Sequence, residues 1–149
     1  MDDPDDIRAW QRLTAQVTTS GRIVAGDVER LARIGVRHVI NLALAGHPDA
    51  LADEAEILAK AGIAYSHIPV PFDAPEQQHF DAFVQAVEGG EVPLHVHCIM
   101  NWRVSAFFYR YNRDVRGMDE VMARALMEKQ WSPASNSLSE AAAWARFID

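Results

Sequence analysis

Apolar and polar residues alternate along this chain in two rhythms. Compact apolar blocks at 36–42, 63–70 and 94–97 read as buried strands. Between and after them, apolar positions recur at helical spacing. Residues 5–13 predict a short leading helix, and 17–24 predict one or two short strands broken at Ser20-Gly21. Asp27 is placed to cap a helix over 28–34, with Gly35 as its stop. The block at 36–42 carries Val36, Val39, Ile40 and Leu42, and an amphipathic helix over 49–61 ends at Gly62. Pro69 and Pro71 close the next strand. A helix over 74–88 puts Phe80, Phe83, Val84 and Val87 on one face. Gly89-Gly90 and Pro93 punctuate the turn into 94–97, after which helices are predicted at 102–113, 118–129 and 136–148. Strands alternating with helices imply one α/β domain over residues 1–149, with a central, mostly parallel sheet of about four to five strands flanked by helices. Ligands of such sheets sit at the carboxyl ends of the strands. The residues just after 97 are therefore the place to look, since the strand before them is apolar enough to be central.

Composition narrows the chemistry. A length of 149 residues suits a single core, and 49% apolar with 23% charged residues is ordinary for a globular protein. A formal net charge of −7 argues against nucleic acid and against an anionic membrane as partners, and an anionic substrate needs a local positive site against it. The single cysteine excludes an intrachain disulfide framework and a Cys-rich zinc site, and it fits a reducing compartment. Met-Asp-Asp-Pro-Asp-Asp is acidic where a signal peptide would be basic, and no run reaches the roughly 18 apolar residues of a membrane span. A cytoplasmic protein is expected.

The lone cysteine falls within Leu-His-Val-His-Cys-Ile-Met-Asn-Trp-Arg-Val-Ser, residues 94–105. Cys98 therefore sits where a strand hands over to a helix. The free backbone N–H groups of a helix N-terminus favour a thiolate and cradle a tetrahedral anion. Arg103 adds a fork of donors suited to two phosphate oxygens. The alternative is a small buried cysteine at a strand end, which is common in α/β cores.

These residues resemble the cysteine-dependent protein tyrosine phosphatase superfamily, most of all its small dual-specificity-like bacterial branch. The resemblance runs over most of the chain, through Thr19-Ser20-Gly21, Val39-Ile40-Asn41-Leu42, His67-Ile68-Pro69-Val70 and Val96-His97-Cys98. The family signature is HCxxGxxRS or HCxxGxxRT. Here His97 and Cys98 match, and Ser105 stands seven positions after the cysteine, where the signature has its hydroxyl. Asn101 takes the glycine position, and asparagine is the residue other than glycine that best tolerates a left-handed backbone. Arg103 comes one place early, and Val104 stands where the arginine belongs. Two geometries are compatible with this spacing. In one the loop keeps its length and the guanidinium enters from the neighbouring position; in the other the loop closes sooner around a smaller cradle. A shorter turn is similar to that of rhodanese-type sulfurtransferases, whose cradle suits a persulfide better than a phosphate. A third reading is a phosphatase-like fold that binds an anion or a phosphorylated partner and turns over weakly.

The resemblance implies a tyrosine-phosphatase-like fold and phosphate monoester hydrolysis through a cysteinyl-phosphate. Cys98 would be the nucleophile, Arg103 the phosphoryl clamp and Ser105 the aid to the second step. His97, Ile99, Met100, Asn101, Trp102 and Val104 would complete a loop able to hold a phosphate or sulfate ion. The general acid of the family comes from a loop like Pro71-Phe72-Asp73-Ala74-Pro75, which singles out Asp73 over Asp81. Asp73-Ala74-Pro75-Glu76 is also a capping-box pattern for the following helix. The substrate would be a phosphorylated protein or small molecule, with no metal and no organic cofactor. His95 and His97 share a strand face, but a structural zinc site would need four ligands. His95 is read as a core histidine. Trp102 and Met100 are read as rim or as packing under the loop, and Phe107, Phe108, Tyr109 and Tyr111 as a buried helix. Arg110, Arg113 and Arg116 form a basic stripe on the following helix, and Trp131-Ser132-Pro133 is a turn with a core tryptophan.

Overall fold

A computed structural model describes residues 2–149. Five strands form one sheet in the order β1-β2-β5-β3-β4: β1 Gln11–Thr14, β2 Val17–Ser20, β3 His38–Asn41, β4 Ala64–His67 and β5 Leu94–His97. Every pairing is parallel except β1 with β2, an edge hairpin. The expected α/β class and mostly parallel sheet are what the chain forms. Strand β5 is central, with Ser20 of β2 opposite His97 on one side and Asn41 of β3 on the other.

The leading helix expected over 5–13 does not form. Residues 5–9 are turns, and β1 follows them. Ile7 is buried in the cluster around Val28 and Leu31, whereas Leu13 packs against the cluster on the opposite face of the sheet. One helix cannot serve both faces, so pairing with β2 overrides the local period.

Helix α1 spans Ala25–Arg33 and α2 spans Glu54–Lys60; they cover one face of the sheet with Val28, Leu31 and Leu58. Asp27 is the third residue of α1, not the residue before it, and its carboxylate accepts the backbone N–H of Val24 at 3.0 Å. Gly35 ends the segment with a φ of 93°, open to glycine without a Cβ penalty. Helix α2 is shorter than its sequence pattern, which places Glu54 at its first turn, buried and aimed inward.

The opposite face is covered by α3 Gln77–Gly89, α4 Trp102–Arg110, α5 Glu120–Glu128 and α6 Ser139–Ile148. Leu94, Val96, Phe83, Phe107, Met127 and Trp144 are all within 1% of full burial there. Helix α4 runs on through a π turn at Tyr111–Val115. Arg110 of the expected basic stripe lies over the rings of Phe80 and Phe147 at 4.2 and 4.7 Å, so it caps the core edge. Among the described residues, no helix is long and apolar enough to cross a membrane.

Candidate active site

Strand β5 ends at His97, the turn runs through residues 98–101, and α4 begins at Trp102. Asn101 makes the reversal with a φ of 68°, the left-handed geometry that its type tolerates. Its side chain holds the turn against the N-terminal segment: Nδ2 donates to the carbonyl of Ala9 at 2.9 Å and to Thr19 Oγ1 at 3.0 Å. A Cβ on Gly21 would stand 2.4 Å from the Ile99 carbonyl oxygen, so only glycine lets the β2 end lie against this turn.

Cys98 is fully buried as a residue, yet it lines a pocket of 590 Å³ together with Arg103. Phe72 and Trp102 form one wall, with centroids 6.1 Å apart, while Leu44 and His47 stand on another. Trp102 also stacks on Trp131 at 4.8 Å with 2° between the planes, so it is both wall and underpinning. Met100 is exposed at the rim. His47, contributed by the loop between β3 and α2, carries no signal in the sequence; its Nδ1 accepts the N–H of Asp49 at 3.0 Å.

Arg103 is 7% exposed and makes one hydrogen bond, from Nη1 to the Val70 carbonyl at 2.9 Å. Its guanidinium lies 5.8 Å from the Phe72 centroid. Among the described residues no carboxylate pairs with it. A buried cation without a counter-ion is costly, and the pocket is where an anion would offset it.

Beneath the turn, His97 Nε2 meets Glu54 Oε2 at 2.6 Å, with both side chains 4% exposed. Its Nδ1 points at the Cys98 carbonyl, 3.2 Å away. Both ring nitrogens thus lie within hydrogen-bond distance of an oxygen. Asn41 donates to Glu54 at 3.3 Å and to the Tyr65 hydroxyl at 3.1 Å, and burial pushes the Tyr65 phenol up to about 12. Glu54 carries no local signal in the sequence, because it stands 43 positions before its partner.

His95 differs. Its Nδ1 lies 2.8 Å from Thr18 Oγ1 and its Nε2 lies 2.8 Å from Ser20 Oγ. The Ser20 hydroxyl donates to the Gly21 carbonyl, so it accepts from Nε2–H, and Thr18 donates to Nδ1. Complete burial, with the neighbouring His97 charge second, holds His95 well below the usual imidazole range.

Two residues singled out from the sequence do not line this pocket. The Ser105 hydroxyl donates to the Trp102 carbonyl at 3.1 Å, and Ser105 lines a small void with Thr19, Asn112 and Met127 on the far side of α4. Asp73 is exposed, and its neighbour Phe72 is the residue that reaches the pocket. The capping role open to Asp73 goes elsewhere: α3 starts at Gln77, and the N–H of Glu76 donates to His79 Nδ1 at 3.0 Å. The loop is pinned by Trp144, whose Nε1 donates to the Phe72 carbonyl at 2.7 Å.

The mostly parallel sheet thus carries a strand–Cys–turn–helix at its centre, with an arginine in the same pocket. No family model matches the chain, and no curated protein matches it in sequence. Solved structures do. A candidate phosphatase of the DUF442 group from Shewanella putrefaciens CN-32 shares 27% identity and a TM-score of 0.79, covering 97% of this chain and 88% of that one. TpbA of P. aeruginosa, crystallised as a cysteine-to-serine variant with phosphotyrosine, has a TM-score of 0.74 at 20% identity, over 98% of this chain and 86% of its own. PTPMT1 aligns over 93% of each chain with a TM-score of 0.70 at 19% identity. These neighbours are all of the cysteine-dependent protein tyrosine phosphatase type, and the fold resemblance read from the sequence is the one the structure shows.

Proposed function

We propose that this protein is a cysteine-dependent phosphatase that hydrolyses phosphate monoesters, from a phosphorylated protein or small molecule, through a cysteinyl-phosphate. The observation that carries this reading is Arg103, a buried guanidinium without a carboxylate in the pocket that Cys98 lines. A phosphate dianion supplies the missing counter-charge. Its oxygens take the free donors of Arg103 and the backbone N–H groups of residues 99–104, and a phosphate or sulfate ion is expected to bind there in the same way. The Cys98 thiolate then attacks phosphorus, the P–O bond to the leaving group breaks, and the leaving oxygen takes a proton. Asp73, free of capping duty and next to Phe72, is the carboxyl assigned to give that proton and to take one from the water that splits the S–P bond. No metal or cofactor enters these steps. A cytoplasmic setting, in which the thiol stays reduced, suits the chemistry.

The placement of Ser105 favours a second reading for the last step. If its hydroxyl stays bonded to the Trp102 carbonyl, release of phosphate from Cys98 lacks that assistance, and the protein acts as a slow enzyme or a phosphate-binding module. The test is hydrolysis of an aryl phosphate at mildly acidic pH. Cys98→Ser should lower turnover by roughly a thousandfold or more, while a slow last step shows as a burst of phenol equal to the enzyme present. Equal turnover by wild type and Cys98→Ser defeats the reading. Cys98-dependent transfer of sulfur from thiosulfate to cyanide, without phosphatase activity, would put the sulfurtransferase in its place.

A further inference from the structure

We propose that Arg8 and Arg22 form a second anion subsite on the rim of the Cys98 pocket, selecting phosphomonoesters that carry another anionic group beside the scissile phosphate. This rests on the phosphatase reading and names the substrate class of the same site. The two arginines are far apart in sequence but held together by backbone. The N–H of Gly21 donates to the Arg8 carbonyl at 2.7 Å, and the N–H of Arg22 donates to the Ile99 carbonyl at 2.9 Å. The absent Cβ of Gly21 permits this contact, since it would fall 2.4 Å from that same Ile99 oxygen. The two segments bearing these side chains are thereby joined to each other and to the turn that carries Cys98.

Both guanidinium groups reach one carboxylate. Arg8 Nη1 lies 3.2 Å from Asp49 Oδ2, and Arg22 Nη1 lies 3.6 Å from Asp49 Oδ1. Arg8 Nη1 also lies 3.8 Å from the sulfur of Met100, which lines the catalytic pocket. Asp49 comes from the same loop as His47, another lining residue. Two cations facing one anion leave one positive charge in excess within this trio, in a chain of net charge −7. Arg8 and Arg22 also line a neighbouring cleft of 410 Å³ with Asp6, Asp27 and Arg30, where Arg30 pairs with both carboxylates and leaves one negative charge. Side-chain exposures of 34%, 40% and 38% for Arg8, Arg22 and Asp49 leave the cluster open to a ligand. Asp49 is a resident stand-in: its carboxylate has two oxygens for two guanidinium forks, and a phosphate brings three. The hydrogen bond from Arg8 holds the Asp49 carboxyl below its ordinary range, so the stand-in stays charged. Displacing it costs an exposed ion pair of small worth.

The test is a preference ratio, kcat/KM for a doubly anionic substrate over its singly anionic match. One pair is a vicinal inositol bisphosphate against the monophosphate; the other is a phosphotyrosine peptide flanked by glutamates against the same peptide with glutamines. The wild type should prefer the doubly anionic member of at least one pair by roughly tenfold, which two exposed charge contacts supply. The pair that shows it identifies the source of the second anion. Arg8→Gln with Arg22→Gln should bring the ratio close to one, and Asp49→Asn should raise it. Arg37→Gln, which removes a charge beside Glu91 at the opposite end of the sheet, should leave it in place. A wild-type ratio of one for both pairs overturns the proposal, as does a preference that survives loss of both arginines. Turnover that survives Cys98→Ser defeats the phosphatase reading instead. Dissociation constants on the Cys98→Ser protein then give the ratio without chemistry and decide the subsite alone.

Discussion

The turn at residues 98–101 has two sides that treat polar groups in opposite ways. On the seam with β2 and the N-terminal segment, the polar groups have partners within the protein, with Asn101 Oδ1 the one exception among the described residues of the turn. Asn101 Nδ2 bridges Ala9 and Thr19, Ser105 donates to Trp102, and His95 sits between two hydroxyls. On the pocket side, Arg103 makes one hydrogen bond to a carbonyl and otherwise faces an apolar cavity beside a thiol. The seam is fastened so that the pocket can be left incomplete. The proposed phosphate recognition falls on the side where a guanidinium keeps unused donors, while the hydroxyls and the amide nitrogen on the other side hold the turn in place.

Changes at the two sides should therefore separate activity from stability. The largest effect is expected for Arg103→Lys. It keeps the charge but loses the planar fork, and kcat/KM on an aryl phosphate should fall roughly a hundredfold with little change in melting temperature. A drop in stability with activity retained would move Arg103 to the structural side. Asn101→Ala should do the reverse in kind. Losing the two seam hydrogen bonds and straining a left-handed residue should cost about 2 kcal/mol in denaturant unfolding; an unchanged midpoint would show that the seam does not hold the turn. A smaller, pH-dependent effect comes from His95. Its folded pKa is depressed, so below the unfolded value the unfolded chain binds the extra proton and stability falls. The urea midpoint should thus decline as pH drops below about 6.5, where free histidine titrates. His95→Gln should flatten that decline, and a slope that persists assigns it to other groups. The smallest effect is expected for Ser105→Ala, with kcat within roughly twofold of wild type. A larger burst or a slower steady state in that variant would carry the seam side into the chemistry.

Legibility of the sequence followed the range of each interaction. Strand β5 lies where its apolar block put it, and Cys98 and Arg103 share a pocket, because the strand end, turn and helix start that join them are local. Ser105 matched by counting alone. In α4, which begins at Trp102, the Ser105 hydroxyl turns back to the Trp102 carbonyl, and the void that Ser105 lines is not the one that holds Arg103. Asp73 reads as a possible cap because the helix pattern starts beside it; α3 begins later, and Glu76 flanks it instead. Glu54, His47 and the Arg8–Asp49–Arg22 cluster left no trace in local pattern, since each acquires its role by meeting residues distant in sequence. The leading helix failed for a related reason: its apolar residues belong to opposite faces of the sheet.

The stacked pair Trp102 and Trp131 has a use outside the chemistry. One indole lines the pocket and the other lies parallel beneath it at 4.8 Å. Indole emission responds to polarity and to quenching neighbours, so an anion entering beside Trp102 should change the protein's own fluorescence. Occupancy of the site can then be followed in real time, without a label and without turnover, in wild type and in the Cys98→Ser protein alike.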